Sequence, residues 1–89
     1  MLEANLRDVK VKGKVIRNLG YSTGTLRRKN GEILPISILG HKLNTYLSRH
    51  GLKTNITIKL EGLIINSKID RIQRDLIFHN AINIDLIEI

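Results

Sequence analysis

Lys10, Lys12 and Lys14 stand at every second position of a segment whose other members are Val9, Val11, Gly13 and Val15. That alternation is the period of a half-buried β-strand, and it predicts a strand over about Arg7 to Arg17 with three ammonium groups on one face, spaced roughly 7 Å apart. A fixed line of positive charge at that spacing can track the phosphates of a polyanion. The same lysines also serve to solubilise an exposed edge strand, so the row alone leaves both readings open. Further cations have the same chemistry: Arg17 at the end of the row, Arg27, Arg28 and Lys29 in a cluster, and Lys42, Arg49 and Lys53 beyond it, with His41 as a titratable neighbour.

Other chemistries find less support in the residues. His41, His50 and His79 show no ligand-type helical spacing to one another, and few carboxylates lie near them, so no metal site and no cofactor are expected. Ser37 and Ser48 lack a nucleophile-elbow pattern, and the single proline and seven glycines form no phosphate-cradling loop. No enzyme is expected. Three aromatic residues are present: Tyr21 sits in a turn where stacking and packing are both open, while Tyr46 and Phe78 lie in apolar stretches that predict core positions.

The charge is unevenly spread. The chain of 89 residues has a formal net charge of +7, which arises mainly in residues 7–59, where twelve basic and two acidic side chains leave +10. Residues 60–89 carry three basic and five acidic side chains, a balance of −2. Such asymmetry argues for an anionic partner. The length fits one domain, residues 1–89, with a compact aliphatic core. The absence of cysteine excludes a disulfide framework, and neither a secretion signal nor an eighteen-residue apolar run is present. The expected setting is therefore cytoplasmic or an organellar matrix, with no membrane partner.

The elements that must position these cations follow from periodicity and turn chemistry. After the first strand, with Gly13 read as a bulge or bend, Asn18-Leu19-Gly20 breaks the pattern and a second strand runs from about Thr23 to Arg28. Asn30-Gly31 is a strong hairpin signal leading to a third strand, Ile33 to Ile38, whose Pro35 hints at an edge or bulge. Leu39, Leu43 and Leu47 recur at helical spacing, which predicts a short helix from His41 to His50 stopped by Gly51. Asn55 to Leu60 alternates as a fourth strand. Ile65, Ile69, Ile72 and Leu76 fit a helix, with Ser67 and Asp70 as a capping box, so Leu63 to His79 reads as a loop or short helical insertion followed by a strand at Asp75 to His79. Ala81 to Ile89 alternates again as a last strand or tail.

Three strands, a short helix and further β structure is the layout of a five-stranded OB barrel: mainly β, with one helix between strands three and four. The residue strings add to this. Gly13-Lys14-Val15-Ile16, the turn Asn18-Leu19-Gly20, Asn30-Gly31-Glu32-Ile33-Leu34, the segment from Gly40 to Tyr46-Leu47, and Asn55-Ile56-Thr57-Ile58-Lys59-Leu60 together resemble bacterial translation initiation factor one over about residues 9–60. The resemblance extends to Leu76-Ile77-Phe78-His79 as a closing strand. It implies an RNA-binding barrel acting on the small ribosomal subunit. In that family the Gly-to-Tyr segment carries a dense basic set touching ribosomal RNA; here it supplies Lys42 and His41. The stretch from Glu61 to Arg74 is longer than the family's, and residues 80–89 have no counterpart in it.

The expectation is a non-catalytic RNA-binding protein whose basic face combines Lys10, Lys12, Lys14, Arg17, Tyr21, Arg27, Arg28, Lys29, His41, Lys42, Arg49 and Lys53. With so few aromatics, charge and shape must dominate, which favours structured RNA over a stacked single strand. Two alternatives stay open. One is a dimeric DNA-binding regulator built from swapped hairpins, on Gly31-Glu32-Ile33-Leu34-Pro35 and the helix that follows. The other is a small basic interaction or inhibitor module that buries the apolar Ala81–Ile89 tail against a protein partner. A monomer is favoured over a dimer.

Overall fold

The computed structural model describes residues 1–51 and 55–89. Along them run β1 (Leu2–Leu6), α1 (Gly13–Asn18), β2 (Tyr21–Arg27), β3 (Ile33–Leu39), α2 (Gly40–His50), β4 (Ile56–Leu60), β5 (Leu63–Arg74) and β6 (Ala81–Glu88). The strands close into one barrel in the order β1-β3-β2-β6-β5-β4. Neighbours are antiparallel except β1 with β4 and β2 with β6, which are parallel. The chain is thus a mainly β barrel with a helix between its third and fourth strands, as the periodicity predicts, but it has six strands rather than five.

The first strand is not the lysine segment. Leu2 and Ala4 point into the barrel and β1 pairs with β3 and β4, so the short run Leu2–Leu6 takes the place expected for Arg7 to Arg17. Asp8 ends it: its carboxylate accepts the Lys10 N–H at 2.9 Å and its carbonyl accepts the Val11 N–H at 3.0 Å, a local turn that competes with any ladder. Lys10 therefore lies in a turn, Lys12 precedes α1, and Lys14 lies within it. Val9 and Val15 are exposed and only Val11 is half-buried, so the alternating valines bury no common apolar face. Gly13 marks the start of this helix, not a strand bulge. Pro35, read as an edge signal, sits beside the point where β1 gives out after pairing Leu6 with Ile36.

The second correction falls on Leu63 to His79. Its first twelve residues form one strand, β5. Ile65, Ser67 and Ile69 fall in strand period; a bulge between Ile69 and Arg71 then shifts the phase, so that Ile72 and not Arg71 packs against the core. A bulged strand thus imitates helical spacing. Ser67 is fully buried and donates its hydroxyl to the Ile56 carbonyl at 2.9 Å, so it caps no helix. Residues 75–80 form a turn, and Phe78, expected in the core, is 72% exposed. The Ala81–Ile89 segment is no free tail: β6 is held between β2 and β5.

Leu26, Ile36, Ile38, Ile56, Ile58, Ile84 and Leu86 fill the barrel, each stabilising it by roughly 1.5–3 kcal/mol on burial. Leu43 and Leu47 of α2 join them, and α2 ends at Gly51 with φ 76°, the stop read from the sequence. The Asn30-Gly31 hairpin forms as predicted, with Gly31 at φ 90°. Gly24 faces the parallel partner so closely that a β-carbon there would collide with the Ile84 carbonyl oxygen.

Candidate nucleic-acid interface

Strand register decides which cations meet. On β2, Ser22, Gly24 and Leu26 are buried inward, leaving Thr23, Thr25 and Arg27 on the outer face. Across β2, β6 and β5 this face carries three rows: Arg27, Ile87, Lys68; Thr25, Asp85, Arg71; and Thr23, Asn83, Gln73. Arg27 and Lys68 are therefore two strand spacings apart, about 10 Å, with Ile87 between them. Asp85 in the middle row is already engaged, accepting from the Thr25 hydroxyl at 2.8 Å and from Asn83 Nδ2 at 3.4 Å.

Helix α1 packs on β2 beside this face. Its Arg17 Nη1 donates to Thr23 Oγ1 at 3.4 Å, which places the guanidinium over the third row. Gly13 provides the space: Arg17 Nη1 and Arg7 Nη1 lie 2.9 and 3.4 Å from where its β-carbon would stand. Two guanidiniums thus share one place, and Arg7 Nε is buried there without a hydrogen-bond partner. Lys10, Lys12 and Lys14 are exposed along the same segment. Asp8, Asp70 and Asp85 lie along this flank and Asp75 lines the cleft beside Arg17, and none of the four forms an ion pair among the described residues.

A cleft of about 460 Å³ opens at the end of the barrel where β2 and β6 begin. Arg17, Tyr21 and His41 meet in it, together with Asn44, Asp75 and Asn80. Asn44 fixes its walls: Nδ2 donates to the Gly40 carbonyl at 2.8 Å and Oδ1 accepts the Ala81 N–H at 2.9 Å, tying α2 to β6. The Ser22 hydroxyl adds a 2.6 Å bond to the Ala81 carbonyl. Lys42 and Arg49 join His41 along a second, shallower groove of about 390 Å³ on α2. Tyr46 packs against the core as predicted, with its ring centroid 4.4 Å from that of His50 and its hydroxyl donating to the Asn55 carbonyl.

Arg28 and Lys29 stand beyond the last row of the flank, at the end away from the cleft. β2 runs from Tyr21 at the cleft to Arg27 near the hairpin, a span of about 20 Å for seven residues. There Arg28 Nε meets Glu88 Oε1 at 2.8 Å, and the Lys29 N–H donates to the same oxygen at 3.0 Å. The Arg28 hydrogen bond, followed by the Lys29 N–H, holds the Glu88 carboxyl below the usual carboxylate range, and the same contact raises Arg28. Arg28 is therefore neutralised by an acid of its own chain. The Lys29 side chain is exposed, at the far end from α2. Lys53 lies outside the described residues.

The single basic face expected from the sequence resolves into a flank, an adjoining α2 end joined to it through Arg17 and His41, and a hairpin end where the row of Arg27 and Lys68 borders the neutralised Arg28–Glu88 pair. Arg7, Lys68 and Arg71 belong to this flank and are absent from the set expected from the sequence. Arg7 opens the segment whose alternation predicts a strand, and Lys68 and Arg71 fall in a stretch of slightly acidic balance. The alternation of Asn66, Lys68 and Asp70 was the available signal, obscured by the bulge. Among the described residues no group of three His, Cys, Asp or Glu is placed to hold a metal ion, and no helix is long and apolar enough to cross a membrane. Comparison with known protein families and with curated protein sequences finds no match for this chain.

Proposed function

We propose that this chain is a non-catalytic RNA-binding barrel that grips the phosphate backbone of a structured RNA along the flank formed by α1 and the outer face of β2, β6 and β5. The observation that carries the reading is the pair Arg7 and Arg17, side by side over Gly13 with no carboxylate bonded to either, beside exposed Lys12 and Lys14. Guanidiniums brought together against their mutual repulsion, with no acid bonded to them among the described residues, are suited to a phosphate, which satisfies both. Arg27, Lys68 and Arg71 extend the positive surface along the barrel. Backbone contacts of this kind fit a helical RNA recognised by shape.

The preference for RNA, and a narrower role as an OB-like, initiation-factor-like protein on the small ribosomal subunit, rest on the resemblance in residues 9–60 and on the helix between the third and fourth strands. The sixth strand and the α1 crossover depart from that layout. Barrel closure within one chain leaves no hairpin to exchange, which favours a monomer over the swapped-hairpin regulator. The test is a titration of a hairpin RNA at about 50 mM and about 200 mM salt, where affinity is expected to fall about a hundredfold. Affinity indifferent to salt would overturn the proposal.

A further inference from the structure

Leu76, Ile77 and Phe78 occupy the turn between β5 and β6 and are 92%, 77% and 72% exposed. Three consecutive large apolar side chains are held in water by a loop that satisfies its own backbone. The Asp75 N–H donates to the Asn80 carbonyl at 2.8 Å and the His79 N–H to the Asp75 carbonyl at 2.9 Å. The Ile77 N–H donates to the Asp75 carboxylate at 2.8 Å, and Arg74 Nη1 to the His79 carbonyl at 2.9 Å. The tip is thus organised before any partner arrives, which lowers the ordering cost of binding.

β5 ends in this tip at Arg74, and Arg71 stands on its outer face three residues earlier, so the tip adjoins the cleft end of the cationic flank, with Lys68 further back along the strand. A partner that meets both must be anionic outside and apolar within, as bases behind phosphates are. We infer that the tip enters a break in base stacking, with Phe78 stacked on a base and Leu76 and Ile77 wedged beside it. The preferred ligand is then an RNA with a bulge or unpaired bases, in place of an uninterrupted duplex. This inference rests on the RNA reading above.

The experiment compares a hairpin RNA bearing one bulged 2-aminopurine with its fully paired counterpart, using the full chain and the variant Leu76→Ser/Ile77→Ser/Phe78→Ser. The wild type is expected to bind the bulged RNA about tenfold more tightly and to quench the 2-aminopurine. The variant, whose altered side chains face solvent, keeps its fold, its paired-RNA affinity and its salt slope but loses the preference and the quenching. A single Phe78→Leu variant is expected to lose the quenching and keep part of the preference. Equal wild-type affinities for the two RNAs, or a triple variant that still discriminates, overturn the tip assignment while leaving the flank reading standing. Binding of neither RNA at low salt overturns both. Sedimentation with phosphatidylserine vesicles that the triple variant abolishes, together with no preference for the bulge, overturns it in favour of a lipid surface.

Discussion

The α1 flank and the β2–β3 hairpin carry the same residue types and differ in what faces them. At the hairpin, Glu88 receives both the Arg28 guanidinium and the Lys29 N–H. On the flank, Arg7 and Arg17 crowd together over Gly13 with no carboxylate bonded to either. A cluster of cations is thus a structural clasp in one place and an open surface in the other. Local sequence does not separate them, because Glu88 lies about sixty residues from Arg28 in the chain and meets it only through barrel closure.

Both regions hang on β2, and the largest effect comes from breaking that strand's parallel pairing. Gly24→Ala would set a methyl group against the Ile84 carbonyl oxygen, forcing β2 and β6 apart. The backbone carbonyl cannot rotate away as a side chain could, so the expected loss is about 3 kcal/mol, read by urea denaturation. RNA affinity and the Arg28–Glu88 contact should fail together. A variant as stable as the wild type would show that β2 and β6 are not held as closely as described.

Next in size is a direct contrast of the two clusters. Lys12→Gln/Lys14→Gln/Arg17→Gln should lower the slope of log affinity against log salt by about 2 to 3 and weaken RNA binding at least tenfold, without unfolding, since α1 buries no residue. Arg28→Gln/Lys29→Gln should leave RNA affinity within about twofold and lower the melting temperature instead. Equal losses of binding from the two variants would erase the distinction between the regions.

Much of the scaffold was legible because its signals are local. Asn30-Gly31 specifies a hairpin by backbone conformation, the Leu43 and Leu47 spacing specifies α2 while Leu39 ends β3 instead, and Gly51 ends the helix. What misled was phase. The valines and lysines of residues 9–15 alternate as a strand does, but Asp8 captures the following backbone and no barrel position remains once Leu2–Leu6 has paired on both sides. In β5 the bulge near Asp70 turns strand periodicity into a helical spacing. The candidate site suffered more than the fold, because its membership depends on register across β2, β6 and β5, a long-range property. Tyr21 and His41 meet at the cleft through the Gly40 N–H bond to the Gly20 carbonyl; Lys68 and Arg71 reach the flank only through pairing with β6.

The smallest expected effect sharpens the comparison from the hairpin side. Glu88 has its carboxyl held below the ordinary range by Arg28 and by the Lys29 N–H, and in the unfolded chain it returns to that range. A depressed carboxylate contributes stability that is complete above the ordinary range and is lost as pH falls through the depressed value. Glu88→Gln removes that contribution, so melting temperature should drop near neutral pH and converge with wild type as pH falls through the depressed value, flattening the acid limb. The pair is partly exposed, so the drop should shrink as salt is added. The same substitution releases Arg28, and the hairpin should then gain a little RNA affinity at low salt, at most about threefold. An unchanged acid limb would mean that Glu88 does not hold Arg28, and the hairpin cations would then be as open as those of α1.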